Sequence, residues 1–265
     1  MCSIRAVDFI HLAKMEKPAA TDGNGVRAQA AEGSSLPTSR RCNVPPHVRR
    51  ILIVGAGGFG REVLLWARDT WPHWASKIVG FLASDSGRLD RNPSPLPILA
   101  DPAEYDPDPH DGLLLAIGIP HTRRVVAEML ATRGASFLTL VHRSAIVAPT
   151  ATVGAGALIC PHVIVSDAAE VGDYALLNYF ASVGHDASVG KFVVLSPYAT
   201  LGGGAKIEDD VFMGLHASVG PGKRVGARSK LSANSCALSD APADSLIFGA
   251  PGRIAPLVSL RNTTP

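Results

Sequence analysis

The chain has 265 residues, of which 46% are hydrophobic and 18% charged, so it can bury a core and is not disordered throughout. Lys and Arg number 25 and Asp and Glu 23, a near balance that gives no support for nucleic-acid binding or a basic membrane contact. No apolar run reaches the roughly 18–20 residues that a membrane-spanning helix needs.

The cysteines point to no disulfide framework or thiolate metal site. They are widely scattered and form no C-x-x-C pair: Cys2, Cys42, Cys160 and Cys236. The N-terminal residues also lack the apolar stretch of a secretory signal. We therefore expect a reduced, cytoplasmic protein without a bound metal, and with no nucleic-acid or membrane partner.

Residues 1–48 differ from the rest of the chain in composition. Residues 18–46 are rich in Ala, Gly, Ser, Thr, Arg and Pro, and they show no apolar period. Such a segment buries little surface, so we expect residues 1–48 to form a disordered extension. Residues 257–265 are assigned as a C-terminal tail.

Strands and helices alternate between residues 49 and 141. Strands are predicted at residues 51–54, 77–82, 113–117 and 137–141, and helices at residues 61–71 and 122–133. This alternation is typical of a small, mostly parallel α/β sheet. We predict a Rossmann-like domain over residues 49–141.

A glycine-rich loop follows the first of these strands. Gly55, Gly57 and Gly60 have the G-x-G-x-x-G spacing that brings phosphate groups to a helix N-terminus. The second strand ends in Leu82-Ala83-Ser84, so the carboxylate that would clamp the ribose of NAD is missing. The pattern disfavours NAD and leaves two interpretations, another nucleotide or a purely structural turn.

From residue 147 the chain follows a six-residue period without a slip. The sixteen positions from Val147 to Ala237 in steps of six are all apolar, and small residues often stand two positions before them. This period fits neither an α-helix nor ordinary hairpins, but it fits a parallel β-helix with three hexads per coil. Over residues 142–256 we predict an all-β parallel β-helix of about five coils.

The combination resembles one known group. The hexad array, the glycine-rich α/β domain before it, the junction Leu140-Val141-His142-Arg143-Ser144-Ala145 and the segment Gly184-His185-Asp186 are similar to the NeuD/PglD/VioB sugar acetyltransferases of the hexapeptide-repeat superfamily. The resemblance covers about residues 50–256. It implies left-handed coils, a homotrimer, acetyl-CoA as cosubstrate, and acetylation of an amino or hydroxyl group on a nucleotide-activated sugar.

The resemblance also assigns catalytic roles. It makes His185 the general base and Asp186 the carboxylate that orients it. It places Asn178 near the acceptor and lets the N–H of Gly203 stabilise the oxyanion of the tetrahedral intermediate. Ordinary corner residues remain the alternative for Asn178 and Gly203.

Coenzyme A and the sugar nucleotide have candidate residues of their own. Lys223 and Arg224 begin a cationic cluster suited to coenzyme phosphates, or to a solvated corner, and the resemblance places the adenine near Gly249 and Pro251. The glycine loop is assigned to the sugar nucleotide through Gly55, Gly57, Gly58, Phe59 and Gly60. The chain departs from many members of that group at Phe59, where they have a His, near Ala83, where they have an acidic residue, and at Val194, where they often have a second His.

Two alternative functions stay open. A non-catalytic β-helix protein could bind a nucleotide sugar through the glycine loop, although the His185-Asp186 pair argues against it. A γ-type carbonic anhydrase shares the β-helix and needs three imidazoles on one zinc. The histidines of the array, at 142, 162, 185 and 216, are too widely spaced to favour it.

Overall fold

The computed structural model describes residues 44–84 and 94–256. The predictions for residues 1–43 and 257–265 lie outside these described residues. Val44 and Val48 are buried in the hydrophobic core, and Val48 N–H donates to the carbonyl of Pro45 at 3.0 Å. The structured chain thus includes residues before 49, and the predicted boundary is too late because these two valines supply apolar surface to the core.

The first part of the chain is a five-stranded parallel sheet with the order β3-β2-β1-β4-β5. Its strands are β1 Arg50–Val54, β2 Ile78–Leu82, β3 Ile98–Ala100, β4 Asp111–Leu115 and β5 Ser136–Phe137. Helix α1 covers Gly58–Thr70, a short 3₁₀ helix covers Pro72–Lys77, and α2 covers Pro120–Thr132. The predicted alternation is present, with one additional short strand, β3, that the sequence did not suggest.

The second part is a parallel β-solenoid built from strands of two residues. These are β6 Leu140–Val141, β7 Ile146–Val147, β8 Thr152–Val153, β9 Leu158–Ile159, β10 Ile164–Val165, β11 Glu170–Val171, β12 Leu176–Leu177, β13 Ser182–Val183, β14 Ser188–Val189, β15 Val194–Leu195, β16 Thr200–Leu201, β17 Lys206–Ile207, β18 Phe212–Met213, β19 Ser218–Val219, β20 Arg224–Val225, β21 Lys230–Leu231 and β22 Cys236–Ala237, followed by the longer β23 Ser245–Phe248 and β24 Arg253–Pro256. The second residue of each short strand from β7 to β22 is a predicted anchor. From Ile159 onward every anchor is buried, so the predicted parallel β-helix is confirmed. Left-handed winding stays a prediction.

From β6 to β22 the strands form three faces, each pairing residues 18 positions apart. Strand β23 extends one face parallel to β21, and β24 pairs with β23 in the antiparallel direction. We call the sheet that runs from β6 to β24 the first face, the sheet from β7 to β22 the second face, and the sheet from β8 to β20 the third face. The first corner joins the first and second faces, for example at residues 178–181. The second corner (residues 184–187) and the third corner (residues 190–193) follow in the same coil.

The junction between the two parts differs from the prediction. The single strand expected at residues 137–141 is split into β5 and β6. Leu138 N–H donates to Leu113 of the first sheet at 2.9 Å, whereas Leu140 N–H donates to Ala157 of the solenoid at 3.0 Å. The chain changes its hydrogen-bonding partner within two residues, so the solenoid begins at Leu140 rather than at 142.

The α/β part covers the first face of the solenoid. The outward-facing residues Leu158, Leu176 and Val194 are buried, and they share one hydrophobic cluster with Val63 and Leu64 of helix α1. The two parts therefore pack through apolar side chains and leave the second and third faces uncovered by the helices.

Candidate active site

His185 and Asp186 occupy the second corner, directly after β13. Asp186 has a left-handed backbone φ of 57°, and the equivalent corner residues one coil on either side are left-handed as well. His185 Nδ1 lies 2.7 Å from Asp186 Oδ2. A carboxylate accepting the Nδ1 proton favours the tautomer in which Nε2 carries the lone pair. The side chains are 71% and 67% exposed, so this nitrogen is accessible to a reactant.

Gly203 lies against the His185 ring one coil further on. A Cβ at residue 203 would fall 2.5 Å from His185 Nε2 and 2.6 Å from Cε1, so only glycine leaves room for the ring as it stands. Gly204 N–H donates to the His185 carbonyl at 2.8 Å. Within the described residues the N–H of Gly203 has no acceptor, and a side chain at Gly184 would cover it, since a Cβ there would lie 2.7 Å from the nitrogen. The corner thus presents an imidazole lone pair beside an unengaged N–H group.

Asn178 lies elsewhere in the same coil. It follows β12 at the first corner, and its Oδ1 accepts the N–H of Tyr179 at 2.8 Å. Strand β13 separates it from His185, and among the described residues no hydrogen bond joins the two side chains. The structure therefore does not bring Asn178 to His185 within one chain.

Val194 belongs to the core. It is 3% exposed on the first face, in the cluster that joins the solenoid to helix α1. A polar side chain there would be buried without an evident partner. A valine in place of the histidine expected from the family resemblance is therefore compatible with apolar packing at this position.

The predicted cationic cluster is only partly available to a ligand. Arg224 forms an ion pair with Glu208, and Arg228 pairs with Asp244 at 2.6 Å. Lys223 has no carboxylate partner among the described residues, and neither does Lys206, whose N–H donates to the Lys223 carbonyl at 2.8 Å. The unneutralised charges beside the third face are therefore these two lysines, of which the sequence had singled out only Lys223.

Gly249 and Pro251 form the turn between β23 and β24. The peptide bond before Pro251 is cis, and the Gly249 carbonyl accepts the N–H of Cys236 at 3.0 Å. Nearby, Leu238 is 56% exposed, and both its side chain and that of Lys223 lie beside Gly220. An exposed apolar side chain thus stands close to an unpaired cation, a combination that the sequence had not indicated.

The glycine loop borders a second candidate site, a cleft of about 420 Å³ at the carboxyl ends of β1 and β4. The strand order reverses between these two strands, which is where parallel α/β sheets bind ligands. Gly55 has a φ of 111° and packs against the Ala116 carbonyl, and Gly60 approaches the backbone of Gly55 too closely for a side chain. Gly58 opens helix α1 at the cleft, where a Cβ would make only an ordinary contact with the Arg61 side chain at 3.9 Å.

None of the described residues that line this cleft carries a charge. Ala83 and Ser84 stand at the end of β2, so none of the described residues there offers a carboxylate to a ribose. Helices α1 and α2 both begin at the cleft, and their first N–H groups are available to a phosphate. Phe59 lines the cleft and packs edge-on against Trp66, with ring centroids 6.0 Å apart.

His142 forms a polar array at the junction. Its Nε2 lies 3.0 Å from Asp69 and its Nδ1 2.8 Å from Ser144 Oγ. The connectivity is that of a Ser-His-Asp triad, but the imidazole is nearly buried, and Ser144 N–H also points to Nδ1. Asp69 pairs in addition with Arg143, so we interpret the array as a clamp between α1 and the solenoid.

A ladder of stacked rings follows the first corner. His162, Phe180, Tyr198 and His216 stack with centroids 4.7–5.0 Å apart, each with a left-handed φ. This ladder was not predicted, although the 18-residue spacing of these rings could have revealed it. Among the described residues no group of three His, Cys, Asp or Glu side chains is placed to hold a metal, and no helix there is long and apolar enough to span a membrane.

Comparison with known proteins identifies structural neighbours. No protein-family model and no curated protein matches the chain, whereas many solved structures do. PerB from Caulobacter crescentus, in complex with CoA and GDP-perosamine, is 26% identical, with a TM-score of 0.69 over 78% of this chain and 97% of that chain. A variant of perosamine N-acetyltransferase from Caulobacter crescentus, with a histidine replaced by asparagine, is also 26% identical, covers 78% of this chain and 96% of its own, and gives a TM-score of 0.67.

Two further neighbours share the fold at 24% identity. They are the acetyltransferase domain of PglB from Neisseria gonorrhoeae, in complex with acetyl coenzyme A, and WeeI from Acinetobacter baumannii. Each has a TM-score of 0.70 over 78% of this chain, and the match covers 100% of the first and 99% of the second. In fold, the chain is thus similar to these sugar acetyltransferases.

Proposed function

We propose that the chain is an acetyl-CoA-dependent acetyltransferase that acts on an amino or hydroxyl group of a nucleotide-activated sugar. The observation that carries the proposal is the second corner, where Asp186 orients His185 beside the unengaged N–H of Gly203. Support comes from PerB, which was crystallised with CoA and GDP-perosamine. We also propose that the protein is cytoplasmic and that its first domain is Rossmann-like.

The corner supplies what acyl transfer requires. His185 Nε2 takes the proton of the acceptor amine or hydroxyl as that atom attacks the acetyl carbonyl carbon. The N–H of Gly203 donates to the oxyanion of the tetrahedral intermediate. The carbon–sulfur bond then breaks, and the proton held on Nε2 passes to the departing sulfur, so CoA leaves as a thiol. Asp186 stabilises the imidazolium that exists between the two proton transfers.

Coenzyme A would lie along the third face, toward the C-terminal hairpin. Lys206 and Lys223 suit its phosphate groups because no carboxylate competes for their charge among the described residues. The exposed side chain of Leu238 and the turn at Gly249 and Pro251 would provide an apolar contact for adenine. Arg224 contributes less than the sequence suggests because Glu208 already neutralises it.

The sugar nucleotide would occupy the cleft at the glycine loop. Its diphosphate would accept hydrogen bonds from the N-terminal N–H groups of α1, for which Gly57 and Gly58 leave the approach open. An uncharged lining accommodates a base and a neutral sugar through apolar contact and backbone hydrogen bonds. Phe59 would form one wall of this site.

We further propose that the active form is a homotrimer of left-handed solenoids. A base that is 71% exposed works in bulk water unless something encloses it, and a second copy packed beside the corner would do so. Asn178 would then act on the acceptor held between copies. Light scattering should give three times the mass of the chain, and a monomeric active enzyme would contradict this arrangement.

The decisive test is a substrate panel. UDP-, GDP- and dTDP-linked amino sugars are incubated with acetyl-CoA, and mass spectrometry records products heavier by one acetyl group. The His185→Gln variant, which keeps a polar side chain without a base, is the control and should form little product. Acetyl-CoA binding without turnover by the wild type would favour the non-catalytic alternative, and hydration of carbon dioxide would favour the carbonic anhydrase.

A further inference from the structure

Arg123 of helix α2 is the largest fully buried side chain of the described residues. Its Nε donates to the carbonyl of Tyr174 at 2.6 Å, and its Nη1 donates to the carbonyls of Leu115 and Ile117, the latter at 3.0 Å. The guanidinium therefore joins three backbone carbonyls that come from two different parts of the molecule.

Two of these carbonyls belong to the wall of the cleft. We call residues 115–118 the cleft wall, since residue 115 ends β4 and residues 116–118 line the cleft. Ala116 N–H donates to the Val54 carbonyl at 2.9 Å, so β1 holds the wall from one side. Arg123 holds the carbonyls on either side of Ala116, at the end of β4 and just beyond it.

The third carbonyl belongs to the solenoid. Tyr174 lies at the third corner, where its ring stacks on Phe192 with centroids 4.8 Å apart. Arg124, the next residue of α2, lies 4.2 Å from the Phe192 ring centroid and pairs with Asp210 at 2.7 Å. Helix α2 is thus attached to this corner twice, but only Arg123 also touches the cleft wall.

Burial of the Arg123 guanidinium costs more free energy than a merely structural contact requires. It forms no ion pair within the described residues, and its Nη2 is buried without a partner. Burial lowers the pKa of its guanidinium to about 9. Burying a charge without a counter-ion is unfavourable, so hydrogen bonding alone compensates it. A lysine has no planar fork with which to reach carbonyls in different directions.

We propose that Arg123 is a positioning residue, which holds the cleft wall at a set distance from the third corner and so determines where the sugar nucleotide sits relative to the solenoid. This inference rests on the proposed function of the cleft. It assigns no contact between Arg123 and the ligand, because the side chain acts from behind the wall. Loss of the fork should loosen acceptor binding while leaving coenzyme binding unchanged.

The test compares Arg123→Lys and Arg123→Gln with Arg124→Gln, which removes the neighbouring attachment but no bond to the cleft wall. In both Arg123 variants the KM for the sugar nucleotide should rise about tenfold or more. This change is smaller than the roughly 10²-fold loss of activity that a 1 Å misplacement can cause. The KM for acetyl-CoA should stay within about twofold. In Arg124→Gln both KM values should stay within about twofold even if the melting temperature falls.

Amide hydrogen exchange provides a readout that needs no substrate. Exchange at Ala116 should accelerate in Arg123→Lys and not in Arg124→Gln. Unchanged exchange and an unchanged acceptor KM in folded Arg123 variants would overturn the proposal, as would a failure of both variants to fold, which would make Arg123 a folding determinant only.

The proposed function can fail separately. If the wild type binds a sugar nucleotide without acetylating it, the enzymatic proposal fails, and the dissociation constants of that ligand for the variants still decide the role of Arg123. If the wild type binds none of the UDP-, GDP- and dTDP-sugars, the positioning role is rejected with the cleft assignment.

Discussion

A single methyl group at residue 203 should disable His185 without unfolding the solenoid. In Gly203→Ala the new Cβ would lie 2.5 Å from His185 Nε2, whereas non-bonded atoms rest about 3.5 Å apart, so the ring must move by about 1 Å. A displacement of that size in a catalytic group costs about 10²-fold in rate. Because the His185 side chain is largely exposed, it can rotate away, and the cost in stability should be about 1 kcal/mol.

The assay measures kcat from the release of the CoA thiol, and thermal melts monitor the fold. Gly134→Ala is the control, because Gly134 has a φ of 85° with open space around it at the end of α2. That variant should lose about 1 kcal/mol through backbone strain and keep its kcat. Gly203→Ala retaining more than a third of the wild-type kcat would refute the argument from close contact.

Three other results are expected. His185→Ala should lower kcat by about 10²–10⁴-fold, and Asp186→Asn should lower it by less because that change leaves the base in place. If a thiol-release assay gave equal kcat values for His185→Ala and the wild type, His185 would not be a general base. At low salt, Lys223→Gln should raise the KM for acetyl-CoA more than Arg224→Gln does, because Arg224 is already paired with Glu208. A larger rise in KM for Arg224→Gln in steady-state kinetics would contradict the coenzyme assignment. Burial, the largest influence, lowers the pKa of His142 below its unfolded value, so the unfolded chain binds the proton first and stability should fall as the pH drops below about 6.5. Melts at several pH values should show a weaker acid dependence in His142→Gln, and an identical dependence would show that other groups cause it.

The solenoid was predictable because its rule is local and repeated. Each hexad places one apolar residue inward, and fourteen of the sixteen anchors, from Ile159 to Ala237, are buried. The two exceptions, Val147 and Val153, are partly buried and lie in the first hexads of the array. The split of the strand at residues 137–141 was not predictable, since nothing in that apolar run says which sheet each residue joins.

The same period predicts neighbours within the candidate site. His185 and Gly203 are 18 residues apart, which is one coil, so their contact follows from the register that also stacks Phe180 on Tyr198. The ion pair that neutralises Arg224 could not be predicted from this register. Its partner Glu208 is 16 residues away, because corner packing and side-chain reach, not the hexad register, decide such pairs.

Contacts between the α/β part and the solenoid follow neither the six-residue period nor the 18-residue register. Arg123 and Tyr174 are 51 residues apart, in segments of unrelated periodicity, and only the docking of α2 on the third corner brings them together. The proposed reaction needs both parts, because the base belongs to the repeat and the acceptor cleft to the α/β sheet. Periodicity therefore indicates the proposed catalytic corner, whereas the proposed placement of the acceptor depends on an arginine whose role no repeat or motif indicates. Variation at this non-periodic contact would alter acceptor binding while the catalytic corner stayed the same.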